Sequence, residues 1–97
     1  MTTLDKLREQ IDKVDAELVA AIAARVKIVK AIGKYKRQHG IAPLQPERWA
    51  QVLEDKKELA HKYGLDEDVI VDIYNRLHEY SLLLERKIDD DNNENEN

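Results

Sequence analysis

The chain has 97 residues, of which 37% are charged and 42% are hydrophobic, a composition that suits one small folded domain. It has no cysteine, which excludes disulfides and thiolate metal sites, and its three histidines show no paired ligand spacing. The formal net charge of −4 argues against a general nucleic-acid-binding protein. No apolar run reaches the ~20 residues of a membrane span and the N-terminus lacks a signal-peptide core, so we expect a cytoplasmic protein.

Apolar side chains spaced alternately three and four residues apart predict a long amphipathic first helix over residues 4–39. Thr3 is the expected N-cap, and Gly40 is the expected stop. The apolar stripe consists of Leu4, Leu7, Ile11, Val14, Leu18, Ala21, Ile28, Ile32 and Tyr35. Such a helix would be roughly 50 Å long, whereas a compact chain of this size has a radius of gyration of about 13 Å. We therefore predict that the apolar stripe packs on a second copy of the chain in a homodimer.

Two shorter helices should follow a loop at residues 40–45. Pro46 suits the first position of a second helix over about 46–62, and Asp66 is the expected N-cap of a third helix over about 67–88. No strand-like alternation is present, so the fold class is all-α, with one long and two shorter helices. Residues 1–88 form the predicted helical domain. Residues 89–97, DDDNNENEN, carry no apolar side chain and are predicted to be a disordered acidic tail.

Four polar side chains stand where the helical pattern expects apolar ones: Arg25, Lys36, Ser81 and Glu85. Arg48 adds a fifth polar group at the start of the second helix, where free backbone N–H groups also favour anions. Each has an ordinary explanation by itself. An inward arginine commonly pairs with a glutamate or reaches out to solvent, and a lysine late in a helix can stabilise its negative end. Taken together, they combine an excess of cations with hydrogen-bonding groups from three helices, which favours a pocket for a small dicarboxylate over a structural network.

Arg8 lies about 100° around the first helix from Arg25, so it cannot easily serve the same pocket from the same chain. In a dimer of long helices it could reach the partner's pocket. The alternative is a surface arginine that pairs with Asp12.

With these residues in place, the chain resembles the all-helical chorismate mutase family over residues 4–88. The resemblance is carried by LREQIDKVDAEL at 7–18, the Arg25 of AARVKIVKAIGKYK with its terminal Lys36, PER at 46–48 and HEYSLLLE at 78–85. It implies an intertwined homodimer with three helices per chain. It also implies the Claisen rearrangement of chorismate to prephenate, a step towards phenylalanine and tyrosine, with no metal and no cofactor.

The resemblance also implies roles for individual residues. Arg25 and Arg48 match the arginines that bind the substrate carboxylates, and Arg8 matches the arginine that the other subunit donates. Lys36 matches the lysine bonded to the ether oxygen whose bond breaks. Ser81 matches a third-helix serine near a carboxylate.

Three positions depart from the family's usual residues. Glu85 stands where most bacterial members have a glutamine that donates to the ether oxygen, a role that Glu85 could fill when protonated. Trp49 stands where many members have a glutamate that holds the ring hydroxyl of the substrate. Gln45 stands where some have an aspartate, and it could supply the missing hydroxyl contact.

These features predict a stand-alone chorismate mutase, and three alternatives remain open. The first is isochorismate-pyruvate lyase, which also has an apolar residue where Trp49 stands, although the loop from Lys36 to Arg48 has the mutase length. The second is a mutase of 4-amino-4-deoxychorismate. The third is a non-enzymatic helical dimerisation module, which would leave the inward cations unexplained.

Overall fold

The computed structural model describes the backbone of residues 2–96 and the side chains of residues 2–88. Three helices follow one another along the chain: α1 at Thr3–Gln38, α2 at Pro46–Lys62 and α3 at Glu67–Glu96. The described backbone contains no strand. The all-α prediction, with one long first helix, is therefore confirmed.

The N-cap of α1 is Thr2, one residue before the predicted Thr3. The hydroxyl of Thr2 accepts a hydrogen bond from the backbone N–H of Asp5 at 3.1 Å, and the Asp5 carboxylate accepts one from the backbone N–H of Thr2 at 3.3 Å. This capping box needs an acidic or amide residue three positions after the cap, and only the earlier threonine has one. At the other end, α1 stops before Gly40, whose positive φ of 64° confirms the predicted glycine stop.

The bounds of α2 agree with the prediction, since Pro46 occupies its first turn and Gly64, with a φ of 68°, follows its end. Asp66 caps α3 as expected, because its carboxylate accepts from the backbone N–H of Val69 at 3.1 Å. The predicted end of α3 near residue 88 is wrong, since the helix continues to Glu96. Neither proline nor glycine follows to interrupt its backbone hydrogen bonds. The prediction of a disordered tail falls on residues 89–97, whose side chains lie outside the described residues.

Helix α3 packs against both α1 and α2, so it is the central element of the fold. The closest approach of α1 to α3 is at Gly33. A Cβ atom there would lie 3.0 Å from Cδ1 of Ile88 and 3.2 Å from Cγ of Glu85. The contact pairs Arg25–Ser81 and Gly33–Ile88 advance in the same direction along both helices, which shows that α1 and α3 run parallel. Because these contacts align the two helices, the first turns of α1 extend past the N-terminal end of α3.

A single chain buries very little apolar surface. Among the described residues, the buried hydrophobic side chains are Val29 and Ala60. The apolar stripe of α1 is exposed along its N-terminal half, where Leu4, Leu7, Ile11, Val14 and Leu18 are 54–58% accessible. The chain measures 61 × 29 × 15 Å, and its radius of gyration of 17.5 Å exceeds the ~13 Å expected of a compact chain. An uncovered stripe on an elongated chain is what the predicted homodimer requires, and the homodimer itself stays a prediction.

Within the described part of the chain, no helix is long and apolar enough to cross a membrane.

Candidate active site

A pocket of about 260 Å³ lies between the three helices. Its wall includes seven of the eight residues that sequence reasoning selected as site residues: Arg25, Lys36, Gln45, Arg48, Trp49, Ser81 and Glu85. Apolar side chains complete the lining, among them Val29, Ile32, Val52 and Leu82. The three predicted helices therefore do bring these distant positions of the sequence together.

On one side of the pocket, α3 holds the guanidinium of Arg25 without neutralising it. Nη1 of Arg25 donates to Oγ of Ser81 at 2.6 Å, and Oγ of Ser81 donates to the backbone carbonyl of Leu77 at 2.9 Å. The serine hydroxyl is thus used as both acceptor and donor. No carboxylate among the described residues forms an ion pair with Arg25. Its positive charge is oriented by a neutral group and stays available to a ligand in the pocket.

Lys36 is held differently, by a carboxylate and a carbonyl. Its ammonium lies 3.2 Å from Oε1 of Glu85 and donates to the carbonyl oxygen of Pro43 at 2.6 Å. The exposed fractions of the two charged side chains are 19% for Lys36 and 7% for Glu85, so the ion pair is largely shielded from solvent. An ammonium has three N–H donors, and these two partners leave one for a ligand. In this arrangement Glu85 forms an ion pair with Lys36, whereas the sequence suggested that it donates to the substrate.

The α2 side of the pocket contributes one cation and one amide. Arg48 is exposed in the first turn of α2 and has no ion-pair partner among the described residues. Gln45 occupies the N-cap position, but its side chain makes no capping hydrogen bond. Instead, Nε2 of Gln45 donates to the carbonyl of Ala42 at 3.0 Å, which ties this amide to its own loop.

Among the polar side chains that line the pocket, sequence reasoning missed His78. Its imidazole stacks on the indole of Trp49, with ring centroids 3.8 Å apart and ring planes only 8° from parallel. His78, Ser81 and Glu85 follow the three-and-four spacing of one helix face, and this spacing was the signal that could have found it.

The pKa of His78 is lowered from its usual 6.5, first by burial and next by the positive charge of Arg25. Lys36 lowers this pKa further, while the carboxylates of Glu85 and Glu79 act in the opposite direction. The neutral form of the imidazole therefore predominates at pH 7. A neutral ring has one nitrogen that donates and one that accepts.

The structure does not bring Arg8 to the pocket of its own chain. Arg8 is exposed on α1 and lies 17 residues before Arg25, or about 26 Å along the helix axis. The alternative pairing with Asp12 is not formed either, since Arg8 has no ion-pair or hydrogen-bond partner within the described residues. A role for Arg8 depends on a second copy of the chain and stays a prediction.

The charges around the pocket favour an anionic ligand. Arg25, Lys36 and Arg48 carry three positive charges, against the one carboxylate of Glu85. The excess suits a small molecule with two carboxylates, bound between fixed cations and an apolar wall. No group of three His, Asp or Glu side chains that could hold a metal ion occurs among the described residues.

Three relatives share most of this chain. It is 38% identical over 76 residues to the T-protein of Haemophilus influenzae, covering 78% of this chain and 20% of that protein. It is 36% identical over 74 residues to the 4-amino-4-deoxychorismate mutase of Streptomyces pristinaespiralis, covering 76% of this chain and 57% of the relative. It is 37% identical over 65 residues to the isochorismate pyruvate lyase of Pseudomonas aeruginosa, covering 67% of this chain and 63% of the relative. The chain thus spans less than two thirds of each of these proteins.

The family described as "Chorismate mutase type II" matches residues 7–86, which include all of α2, most of α1 and α3, and every residue that lines the pocket. This match covers the same residues on which the sequence resemblance was based. The chain therefore belongs to the chorismate mutase type II family of isomerases.

Proposed function

We propose that this chain is a chorismate mutase, which converts chorismate to prephenate within a homodimer. The observation that carries the proposal is the set of three cations around one pocket, of which Arg25 and Arg48 have no carboxylate partner among the described residues. Chorismate is a dianion with one carboxylate on its ring and one on its enolpyruvyl side chain. Two unneutralised arginines, held on different helices, fit these two groups.

The reaction is unimolecular, since the ether C–O bond breaks as a C–C bond forms between side chain and ring. It proceeds when the side chain is folded over the ring. Arg25, oriented by Ser81, and Arg48, at the start of α2, would each bind one carboxylate and hold the substrate in this folded shape. Such preorganisation can contribute about 7–11 kcal/mol to lowering a barrier when the geometry is close to that of the reaction.

Lys36 would stabilise the charge that develops as the ether bond breaks. With Glu85 and Pro43 as its two partners, the ammonium keeps a third N–H that can donate to the ether oxygen. This oxygen gains negative charge in the transition state. A fixed donor of this kind typically contributes 10²–10³-fold in kcat. Glu85 and Pro43 would keep the ammonium in position before the substrate arrives.

A second copy of the chain would complete the site. The exposed apolar stripe provides the surface for a partner, and burying each of its Leu or Ile side chains would contribute about 1.5–3 kcal/mol. In such a dimer, the partner's α1 would bring its own Arg8 to this pocket as an additional carboxylate ligand.

The Arg8 assignment predicts that two inactive variants complement each other. Arg8→Ala and Arg25→Ala homodimers should both lose activity, whereas their refolded mixture should regain part of it. In the heterodimer one of the two pockets keeps both arginines. The measurement is prephenate formation by the mixture, with heterodimers verified by mass spectrometry. No recovery in verified heterodimers would contradict a site shared between subunits.

The two enzymatic alternatives are tested with the same assay. The positive excess of the pocket disfavours the ring ammonium that 4-amino-4-deoxychorismate carries when protonated, and a lyase would instead release pyruvate from isochorismate. Each of the three compounds is therefore offered separately. We expect turnover of chorismate to prephenate with the highest kcat/KM, and a loss of about 10²-fold or more in Arg25→Ala. The control Arg76→Ala, which removes an exposed arginine outside the pocket, should behave as wild type. A higher kcat/KM for isochorismate or the amino analogue would replace the proposed substrate.

A further inference from the structure

The neutral polar side chains of the pocket differ in whether their hydrogen-bonding groups are already used. Ser81 accepts from Arg25 and donates to Leu77. The amide donor of Gln45 is bonded to Ala42. The imidazole of His78 lines the same pocket and has no hydrogen-bond partner among the described residues. The roles proposed for Arg25, Arg48 and Lys36 do not involve this imidazole.

The substrate has a matching group without a partner. Two carboxylates and the ether oxygen of chorismate account for the cations of the pocket, and its remaining polar group is the neutral hydroxyl on ring carbon 4. A hydroxyl donates one hydrogen bond and accepts others, so a neutral imidazole is complementary to it. A charged side chain in the position of His78 would match a neutral hydroxyl less well.

The stack on Trp49 holds the imidazole in one orientation. The near-parallel rings at 3.8 Å fix the plane of the imidazole, and both of its ring nitrogens lie in that plane. Trp49 and His78 come from α2 and α3, and together they form a wall without a carboxylate. Trp49 would then act as a positioning residue, and His78 as the residue that contacts the substrate.

We propose that His78 hydrogen-bonds the ring hydroxyl of chorismate and so sets the preference of this site for a hydroxyl-bearing ring. The inference rests on the proposed function. It assigns to a third-helix residue the contact that the sequence suggested for Gln45.

The experiment compares chorismate with its 4-deoxy analogue, which lacks the hydroxyl but keeps both carboxylates and the ether. We expect His78→Phe, which retains an aromatic ring against Trp49, to lower kcat/KM for chorismate about three- to ten-fold more than for the 4-deoxy analogue, the usual contribution of one neutral hydrogen bond. His61→Phe makes the same chemical change at an exposed histidine outside the pocket and should leave both values unchanged. Trp49→Phe, which removes the indole N–H, should keep more discrimination than His78→Phe.

An equal loss for both compounds, or no loss in folded His78→Phe, would show that His78 only packs the wall and would overturn the inference. Discrimination that disappears in Trp49→Phe but persists in His78→Phe would assign the hydroxyl to the indole and overturn it as well. These outcomes leave the proposed function intact. If the wild-type protein does not convert chorismate, the proposed function fails and the inference fails with it.

Discussion

Arg25 and Lys36 lie on the same helix and face the same pocket, yet α3 provides them with different partners. Arg25 is held by a hydroxyl, which orients the guanidinium and leaves its charge intact. Lys36 is held by a carboxylate, which offsets the ammonium charge while leaving one donor free. A side chain that binds a substrate carboxylate needs its full positive charge, whereas a side chain that donates to an ether oxygen needs above all a fixed direction. Ser81 and Glu85 thus fit the two different tasks proposed for their partners.

Replacing the carboxylate of Glu85 by an amide tests its role at this position. Glu85→Gln keeps an acceptor for Lys36, gains an N–H donor for the ether oxygen, and removes a negative charge from the pocket. We expect kcat/KM for chorismate at neutral pH to be retained or increased. Glu85→Ala leaves Lys36 without its anchor and should lower kcat about 10²–10³-fold. An inactive but folded Glu85→Gln would show that the carboxylate itself is required.

His78 makes the stability of the fold depend on pH. Because its pKa is lowered from 6.5, mainly by burial and next by Arg25, the unfolded chain binds more protons than the folded chain in the window below 6.5. The contribution of His78 to the free energy of unfolding is therefore complete above pH 6.5 and is lost as the pH falls through the folded-state pKa. The facing charges are Arg25 and Lys36 on α1 and Glu79 and Glu85 on α3, while Trp49 faces the ring from α2.

We expect His78→Phe to gain stability relative to wild type as the pH falls from about 7.5 to about 5, since phenylalanine does not titrate. Urea unfolding at fixed protein concentration measures this difference, and titrations shared by both proteins cancel. A difference that is the same at both pH values would contradict the assignment.

Among the elements, the parallel pair α1 and α3 places the pocket. Gly33 lies one turn before the lysine that pairs with Glu85, and its missing side chain allows Glu85 and Ile88 to approach the backbone of α1. A glycine inside a helix costs up to about 1 kcal/mol of stability relative to alanine. Gly33 therefore makes α1 less stable but allows the close contact with α3. At the resulting distance between the two helices, Arg25 contacts the short side chain of Ser81 and Lys36 contacts the longer side chain of Glu85.

Gly33→Ala tests whether this approach controls the site. The added methyl would lie 3.0 Å from Cδ1 of Ile88 and 3.2 Å from Cγ of Glu85, so both side chains have to shift by a few tenths of an ångström, while helix propensity improves. We expect the free energy of unfolding to change by less than about 1 kcal/mol and kcat/KM to fall about three- to ten-fold, less than the 10² that a misplacement of ~1 Å can cost. The control is Lys34→Ala, an exposed position on the same helix. Unchanged kinetics in Gly33→Ala would show that Glu85 tolerates the shift.

As a whole molecule, one chain has too small a core to account for a stable fold. The apolar stripe along α1 is exposed, and the buried hydrophobic side chains among the described residues are those of Val29 and Ala60. Folding and association should therefore occur together, because the partner would supply the core that a single chain lacks.

Ile11→Glu, in the middle of the apolar stripe, should weaken the dimer and unfold the chain at micromolar concentration, since it places a charge where apolar contact is expected. Ala16→Glu introduces the same charge on the opposite face of α1 and should leave the assembly unchanged. Sedimentation together with circular dichroism measures both effects. A wild-type chain that remains a folded monomer at micromolar concentration would contradict the homodimer.

The sequence by itself determined the helices, their caps at Asp66 and Gly40, and the family, because these depend on local spacing and on short motifs. It also identified seven residues of the pocket. Arg25, Lys36, Ser81 and Glu85 stand out as polar residues in an apolar pattern, Arg48 lies at the start of a helix, and Gln45 and Trp49 follow from the family resemblance. Its errors were local as well. The N-cap of α1 is Thr2 and not Thr3, because the carboxylate of Asp5 completes a capping box with Thr2. Helix α3 continues beyond residue 88, because no proline or glycine there interrupts it.

Only the tertiary structure decided which side chains are partners. Whether Arg25 meets a carboxylate or a hydroxyl depends on the register of α1 against α3, which the approach at Gly33 permits and which no local pattern specifies. The stack of His78 on Trp49 likewise joins two helices that are far apart in sequence. Periodicity tells which face of a helix turns inward, but the distance and orientation between two such faces arise from packing, and these set the chemistry of the pocket.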